Sequence, residues 1–370
     1  MLAYTRLLSA LAAGNIKLIA IIGMVMAPGA SIAHNSAGEL ANMSLEDLLA
    51  IPIAKNTELS DSGRWQFSVR TIFREQSGYL DGDSKISNAK VQWNPSKTRT
   101  ATNFPIIVDR IQQEATLLSL SYQLTDLYRI AVSTAHIVQS TDHFSAVPGY
   151  EAFAIKSSGM GDTTVNLNRL LWRHNQRSLY ANIGVSLPTG SIDKKGDTPR
   201  GPGSQILPYS MQLGSGTYDF PFGLNYQSIG PEFAYGGNFA VRMRTNENDR
   251  DYRLGDEYSA DVWLELLRDK RFSPTLRLSY VNKENITGSD QALLMNNGSS
   301  FIYPVSMANP NFYARQNYNI HIGGRFKLGA NSEKNPLTIQ FGYAIPIYEA
   351  VDGVQPRSRN TFSLGITKSL

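Results

Sequence analysis

The sequence predicts an all-β fold, an antiparallel transmembrane β-barrel of about 12 strands. Three observations carry that prediction. Apolar and polar residues alternate over a segment about twice as long as an ordinary soluble strand of 5–6 residues. Similar segments recur along the chain. The connections between them alternate long and short, which sends the long ones to one end of the sheet. The clearest segment is 313–328, YARQNYNIHIGGRFKL. Its apolar set is Tyr318, Ile320, Ile322, Phe326 and Leu328, with Gly324 in the remaining slot. Asn317, Asn319, His321, Gly323, Arg325 and Lys327 interleave. A period of two means one greasy and one wet face, and the length is near the roughly 9–11 residues that a tilted strand needs to cross a bilayer.

Composition narrows the class. The chain has 370 residues and no cysteine, so it forms neither a disulfide framework nor a thiolate metal site. Its net charge is +4, without the clustered Lys and Arg that nucleic-acid binding requires. Mean hydropathy of −0.25 reads as soluble by itself, but a barrel hides its membrane signal because polar lumen residues alternate with apolar ones.

Residues 1–33 read as a secretory signal peptide. Arg6 and Lys17 flank a long n-region, LIAIIGMVM forms a short apolar core, and Ser31-Ile32-Ala33 offers small residues for cleavage. Residues 34–63 are expected to form a periplasmic leader with one short helix. There Ser44 and Asp47 make a capping-box pattern and Pro52 is the stop. The SLEDLL segment resembles the opening found before the plug of TonB-dependent receptors; the chain is too short for a plug and 22 strands, so that function is not carried over. Residues 64–370 form the barrel.

Within the barrel the alternation predicts strands over 64–71, 115–124, 127–138, 161–171, 179–187 and 217–227. It predicts others over 233–244, 258–267, 275–281, 318–328, 337–347 and 361–370. The connections 74–114, 139–159, 188–215, 245–256 and 283–314 are long. Those at 125–126, 172–178, 228–231, 269–273 and 330–335 are short and lie at the opposite end. Outer-membrane barrels have long outside loops and short periplasmic turns; a soluble sandwich has no reason to keep such an asymmetry. The last strand sets Phe362, Leu364, Ile366 and Leu370 against Thr361, Ser363, Gly365 and Thr367. Ending on a strand resembles the signal read by barrel-assembly machinery, although Lys368 interrupts the apolar face. At the interface that charge costs only about 0–1 kcal/mol, against roughly 2–4 at the midplane.

Three motifs stand apart: SGMGDTT at 158–164, GVSLPTGS at 184–191 and LPYSMQLGSGTYDF at 207–220. Physically, Pro188 ends a strand, Gly190 turns the chain, and Gly214, Ser215 and Gly216 permit a bulge or tight bend. They either shape the rim or serve a ligand gate. Together they resemble the outer-membrane transporter family named for the MetA pathway of phenol degradation, over residues 115–370. That resemblance implies a barrel distantly similar to channels for hydrophobic compounds; it fixes no substrate.

Catalytic chemistry finds little purchase. Ser133 and His136 lie on opposite faces of a strand, and Ser140 and His143 sit in a loop without a third group to orient the base. The acidic loop NENDRDYRLGDE, 246–257, lacks EF-hand spacing and contains offsetting arginines, so it reads as a solvated loop facing lipopolysaccharide. No catalytic residue, metal or cofactor is expected, and the chain is not read as an enzyme. Strand parity instead points Arg70, Asp162, Asn166, Asn168, Arg242, Arg244, Asp261, Glu265, Arg277, His321 and Arg325 into the lumen. Mixed charges of this kind either set a pore's selectivity or pair with one another and fill it.

The resulting expectation is an outer-membrane channel, both termini periplasmic, for a small hydrophobic or aromatic solute. Its partners would be outer-membrane lipid, lipopolysaccharide, the assembly machinery and the solute, with no nucleic acid. The alternatives are a non-conducting structural or envelope-interaction barrel and an outer-membrane hydrolase.

Overall fold

The computed structural model describes residues 65–201, 203–269, 271–295, 301–328 and 337–370. The predicted signal peptide and leader helix lie outside the described residues. Twelve strands form the wall: β1 (Trp65–Asp81), β2 (Ile106–Gln123), β3 (Tyr128–Ser145), β4 (Thr163–His174), β5 (Arg177–Leu187), β6 (Asp219–Ile229), β7 (Phe233–Arg244), β8 (Glu257–Leu266), β9 (Phe272–Lys283), β10 (Arg315–Leu328), β11 (Leu337–Val351) and β12 (Val354–Ser369). Each pairs antiparallel with the next, and β12 pairs with β1 from Gln66↔Ser369 to Asp81↔Val354. The twelve-stranded sheet therefore closes on itself.

The faces are the inverse of a soluble protein's. On β10, Asn317, Asn319 and His321 are buried, whereas Ile322, Phe326 and Leu328 are exposed; His321 is 0% exposed and Ile322 54%. Trp65, Phe67 and Phe73 on β1 and Phe362, Leu364 and Ile366 on β12 project outward in the same way. A continuous apolar exterior of this size is costly in water and suited to lipid. Aromatic residues border it. At the end with tight turns, Phe272 stacks on Phe326 (4.5 Å between centroids), which neighbours Phe341. Their rings cover Gly324, where a Cβ would clash. Toward the other end, Tyr280, Tyr318 and Tyr348 form a row across β9 to β11. Along β10 the two girdles lie about 27 Å apart at roughly 3.4 Å per residue, which a strand tilt of about 35–45° turns into about 20 Å of height, somewhat less than an apolar band about 25 Å tall.

Several strands run further than the alternation predicts. β1 continues to Asp81 and β2 starts at Ile106, so the expected loop 74–114 is mostly strand, plus a short helix Asn88–Val91. β3 reaches Ser145, and Ala152–Met160 pairs back onto it. The final strand starts at Val354, after a tight turn at Asp352 and Gly353 (φ 64°), so the long-loop end also carries one short connection. These extensions project beyond the apolar band. With no lipid on their outer face, they need no apolar alternation, and the period-2 signal fades there.

The long connections fold into a cap. Tyr79, Phe104, Ile107, Ile111, Ile206, Tyr209, Tyr252, Leu254, Ile286, Leu293 and Val305 form its core, flanked by Met307, Phe312 and Tyr313. The 246–257 loop, expected to be solvated, contributes Tyr252 and Leu254 to this core. Its Asp256 side chain accepts from the Arg244 backbone N–H at 2.8 Å. Glu247, Asp249 and Asp251 remain exposed, whereas Asp256 and Glu257 are buried.

Candidate solute pathway

Period-2 packing turns every second side chain into the barrel, and inter-strand register decides which of the polar ones meet. Near the turn end Arg325 pairs with Glu265 at 2.5 Å. One level higher Arg277 pairs with Asp261 at 2.7 Å; Asp261 also accepts from Asn238 at 2.9 Å, and Asn238 accepts from Asn225. Across β9 and β10, Ser279 Oγ lies 2.7 Å from His321 Nε2. Near the loop end Arg244 pairs with Asp219 at 2.7 Å, with Arg242 3.8 Å from the same carboxylate. Arg70 reaches over Gly365 to donate to Gln340 at 2.7 Å. Asn166 is buried against Gly184, which has no room for a Cβ, and Asn168 lies opposite Asn182. The interior thus combines charged rungs with one buried apolar cluster, Ile72, Leu117, Ile137, Leu213 and Val281 with Ala115 and Ala135.

Asp162 does something different. Its carboxylate accepts from Gly190 N (2.9 Å), Ser215 N (2.9 Å) and Ser215 Oγ (2.7 Å). Thr189 Oγ1 donates to Gly161 O at 3.1 Å. The three sequence motifs therefore converge in one knot. A Cβ on Gly214 would come 2.4 Å from Gly190 O, so the two backbones touch only because both residues are glycine. The knot lies where the wall changes. Ala152–Met160 pairs with the upper part of β3, Gly161 and Asp162 interrupt the strand, and β4 resumes against the lower part of β3 and against β5. Above the knot, the only sheet partner of Ala152–Met160 among the described residues is β3; its other side meets the 191–213 segment, with Ser157 Oγ donating to Met211 O at 2.7 Å.

Beneath the cap is a chamber of about 90 Å³. Arg74, Gln76, Gln113, Lys283, Arg315 and Gln355 line its strand side, and Tyr209, Leu254, Met307, Phe312 and Tyr313 its cap side. Tyr209 and Tyr313 meet edge to face at 5.7 Å. Burial pushes the Tyr209 phenol up to about 12, so it stays neutral, accepting from the Asp290 backbone N–H at 2.9 Å. Arg315 is fixed by Glu349, by Ser358 Oγ (3.0 Å) and by Gln355 Oε1 (3.0 Å).

The parity reading locates the charged rungs but not all of their partners. Extending the outward parity of Phe222, Leu224 and Tyr226 backward would have placed Asp219 inside. Glu349 has no such signal. A register shift between Tyr318↔Tyr348 and Asn319↔Pro346 turns both Ile347 and Tyr348 outward, and the phase flips before Glu349. The cap aromatics sit on loops and carry no period. Of the weighed catalytic pairs, Ser133 is buried and His136 exposed, on opposite faces as expected. His143 lies within β3, not in a loop; its Nδ1 is 3.1 Å from Thr141 O and its ring stacks on Phe153 at 4.7 Å.

A closed barrel with an apolar belt, a charged interior and a capped end defines a β-barrel of the outer membrane. The chain belongs to the family of the MetA pathway of phenol degradation, whose family model matches residues 102–302. That span begins before and ends well short of the 115–370 expected from the motifs, and it contains all three. No curated protein matches the sequence. Among solved structures, the chain is similar to an outer membrane channel from Pseudomonas putida F1 (15% identity, 84% of this chain and 96% of that one, TM-score 0.52). Weaker likenesses include the transport unit of the autotransporter AIDA-I from Escherichia coli (12%, 90% and 95%, TM-score 0.46) and the P. putida toluene transporter TodX (9%, 84% and 90%, TM-score 0.38).

Proposed function

We propose that the protein is a channel that passes a small hydrophobic or aromatic solute across the outer membrane, with its tight-turn end and both termini in the periplasm. The observation that carries this reading is the chamber: a part-aromatic cavity at the loop end of the barrel, lined by strand residues on one side and by the folded cap on the other. The interior also suits hydration. The buried amide of Asn317 and Nδ1 of His321 have no hydrogen-bond partner on the protein. Leaving such groups dry costs about 1–3 kcal/mol each, a cost that water or a passing solute removes. The charged rungs of Arg70, Arg242, Arg244, Asp261, Glu265, Arg277 and Arg325, with His321, Asn166 and Asn168, line that path, and Asp162 holds its wall.

The function is conduction rather than catalysis. In support, Ser133 and His136, and Ser140 and His143, are set apart by strand parity, and the one close pair described, Ser279 and His321, leaves His321 Nδ1 without a hydrogen-bonded group to orient it as a base. A non-conducting structural barrel is the alternative that the cap's packed core favours. Planar-bilayer recording with the purified barrel separates the two. The channel reading expects discrete ion currents that a single-ring solute interrupts; a silent barrel that takes up no solute overturns it.

A further inference from the structure

One level of the barrel interior is apolar. Ile72 on β1 lies opposite Ala115 on β2, and Ala115 lies opposite Ile137 on β3. Leu117 and Ala135 form a second opposed pair on β2 and β3. These five belong to one buried cluster with Val281 of β9 and with Leu213. In the ring of twelve wall strands β3 and β9 stand on facing sides, so the cluster reaches from one wall to the wall across from it.

The inward positions on either side of this level are polar. On β1, Ile72 stands between Arg70 and Arg74; on β3, Ala135 and Ile137 stand between Ser133 and Gln139; on β9, Val281 stands between Ser279 and Lys283. Arg74, Gln113 and Lys283 line the chamber under the cap. Each is the next inward residue, toward the loop end, after Ile72, Ala115 and Val281 respectively. The apolar level is therefore the chamber's floor. Below it lie the Ser279–His321 contact and the Arg277–Asp261 rung.

Leu213 is the one member of the cluster that no wall strand carries. It is buried and directly precedes Gly214 in the third sequence motif. Its backbone N–H donates to Ser191 O at 2.9 Å, Met211 O accepts from Ser157 Oγ, and Gly214 touches Gly190 in the Asp162 knot. A Cβ on Gly159 would come within 3.0 Å of Leu213 Cδ1. The knot thus pins a single leucine inside the lumen.

An apolar zone across a pore sheds water, and an ion crossing it gives up hydration that nothing there replaces. An uncharged ring has no such loss and gains apolar contact.

We propose that this level is an apolar gate that holds back ions and admits an uncharged, ring-sized solute, with Leu213 setting its resistance. The proposal rests on the channel reading and locates the selective step within it.

Planar-bilayer recording of the full barrel in potassium chloride tests the gate. Leu213→Asn keeps the size and branching of the side chain but makes it polar, whereas Leu213→Met keeps it apolar. The wild type and Leu213→Met should conduct weakly and alike, and Leu213→Asn should raise the current by about tenfold. Benzyl alcohol should interrupt the wild-type current at a lower concentration than benzoate does. Heat-modifiable gel mobility reports whether each variant is folded; if Leu213→Asn is not, Val281→Thr supplies the same comparison from the facing wall. A conducting barrel whose current is unchanged in the folded polar variant overturns the gate and leaves the channel reading intact. Interruption by benzoate at the lower concentration does the same. An equal rise in Leu213→Met and Leu213→Asn also overturns it, since size and not polarity would then control the current. Silence in the wild type and in the polar variant, with no solute uptake, overturns both readings.

Discussion

Arg325 on β10 reaches across β9 to meet Glu265 on β8 at 2.5 Å. The reach is possible because the residues between them are small: Thr275 pairs with both Glu265 and Gly323, and Ser273 lies opposite Arg325. This rung therefore ties three strands with one ion pair near the turn end. Removing one partner of a buried pair strands the other charge and costs about 3–5 kcal/mol. Arg325 is partly exposed, so the low end applies. Arg325→Met should lower stability by about 3 kcal/mol, and the double change Glu265→Leu with Arg325→Met should recover most of it. Urea unfolding of the barrel in lipid vesicles checks this; equal losses in the single and double variants would refute it.

The Asp162 knot holds the wall where the fourth stave breaks. Asp162→Ala leaves the backbone N–H groups of Gly190 and Ser215 without their acceptor, and charged hydrogen bonds contribute roughly 1.5–3 kcal/mol each. We expect a loss of about 3 kcal/mol, and a comparable or larger one for Gly214→Ala, whose Cβ would overlap the Gly190 carbonyl. Protease cutting within 188–218 should appear in both variants while the folded barrel keeps its gel mobility. Wild-type resistance in both would show that the knot does not bear on the wall.

In the cap, Arg250 grips Asp290 in a two-pronged pair, Nε to Oδ2 at 2.6 Å and Nη2 to Oδ1 at 3.0 Å, with Asp193 3.1 Å from Nη1. The Asp290 hydrogen bond raises the Arg250 guanidinium above its ordinary range, so the latch holds its charge at any physiological pH. It joins three loops that are distant in sequence. Arg250→Met should speed backbone hydrogen exchange across 284–295 by about tenfold, equivalent to roughly 1.4 kcal/mol of local opening, and leave the β-strands unchanged. Exchange at the wild-type rate would mean that the apolar core alone secures the cap.

The sequence made the wall legible and the cap opaque, for one physical reason. Where lipid bounds the outside, as on β10, each residue has one of two environments and alternation records which. Above the band that constraint lapses. Gln112 and Gln113 on β2 sit on opposite faces without any apolar contrast to mark them. Bulges also corrupt the count: between Leu170 and Trp172 the register shifts and both Leu171 and Trp172 face outward. Tyr209, Phe312 and Tyr313 reach the chamber from irregular segments, so only a structure could bring them to Arg74 and Lys283.

The central claim is that β10 separates lipid from a polar conducting path. The chain has no cysteine, so single cysteines along that strand report their surroundings directly. Cysteines at Asn317, Asn319 and His321 should react with a charged, membrane-impermeant thiol reagent, and the modification should reduce ion current. Those at Ile320 and Ile322 should stay protected in lipid and leave the current unchanged. Uniform reactivity along the strand, or protection at Asn319 and His321 as complete as at Ile320, would contradict the account.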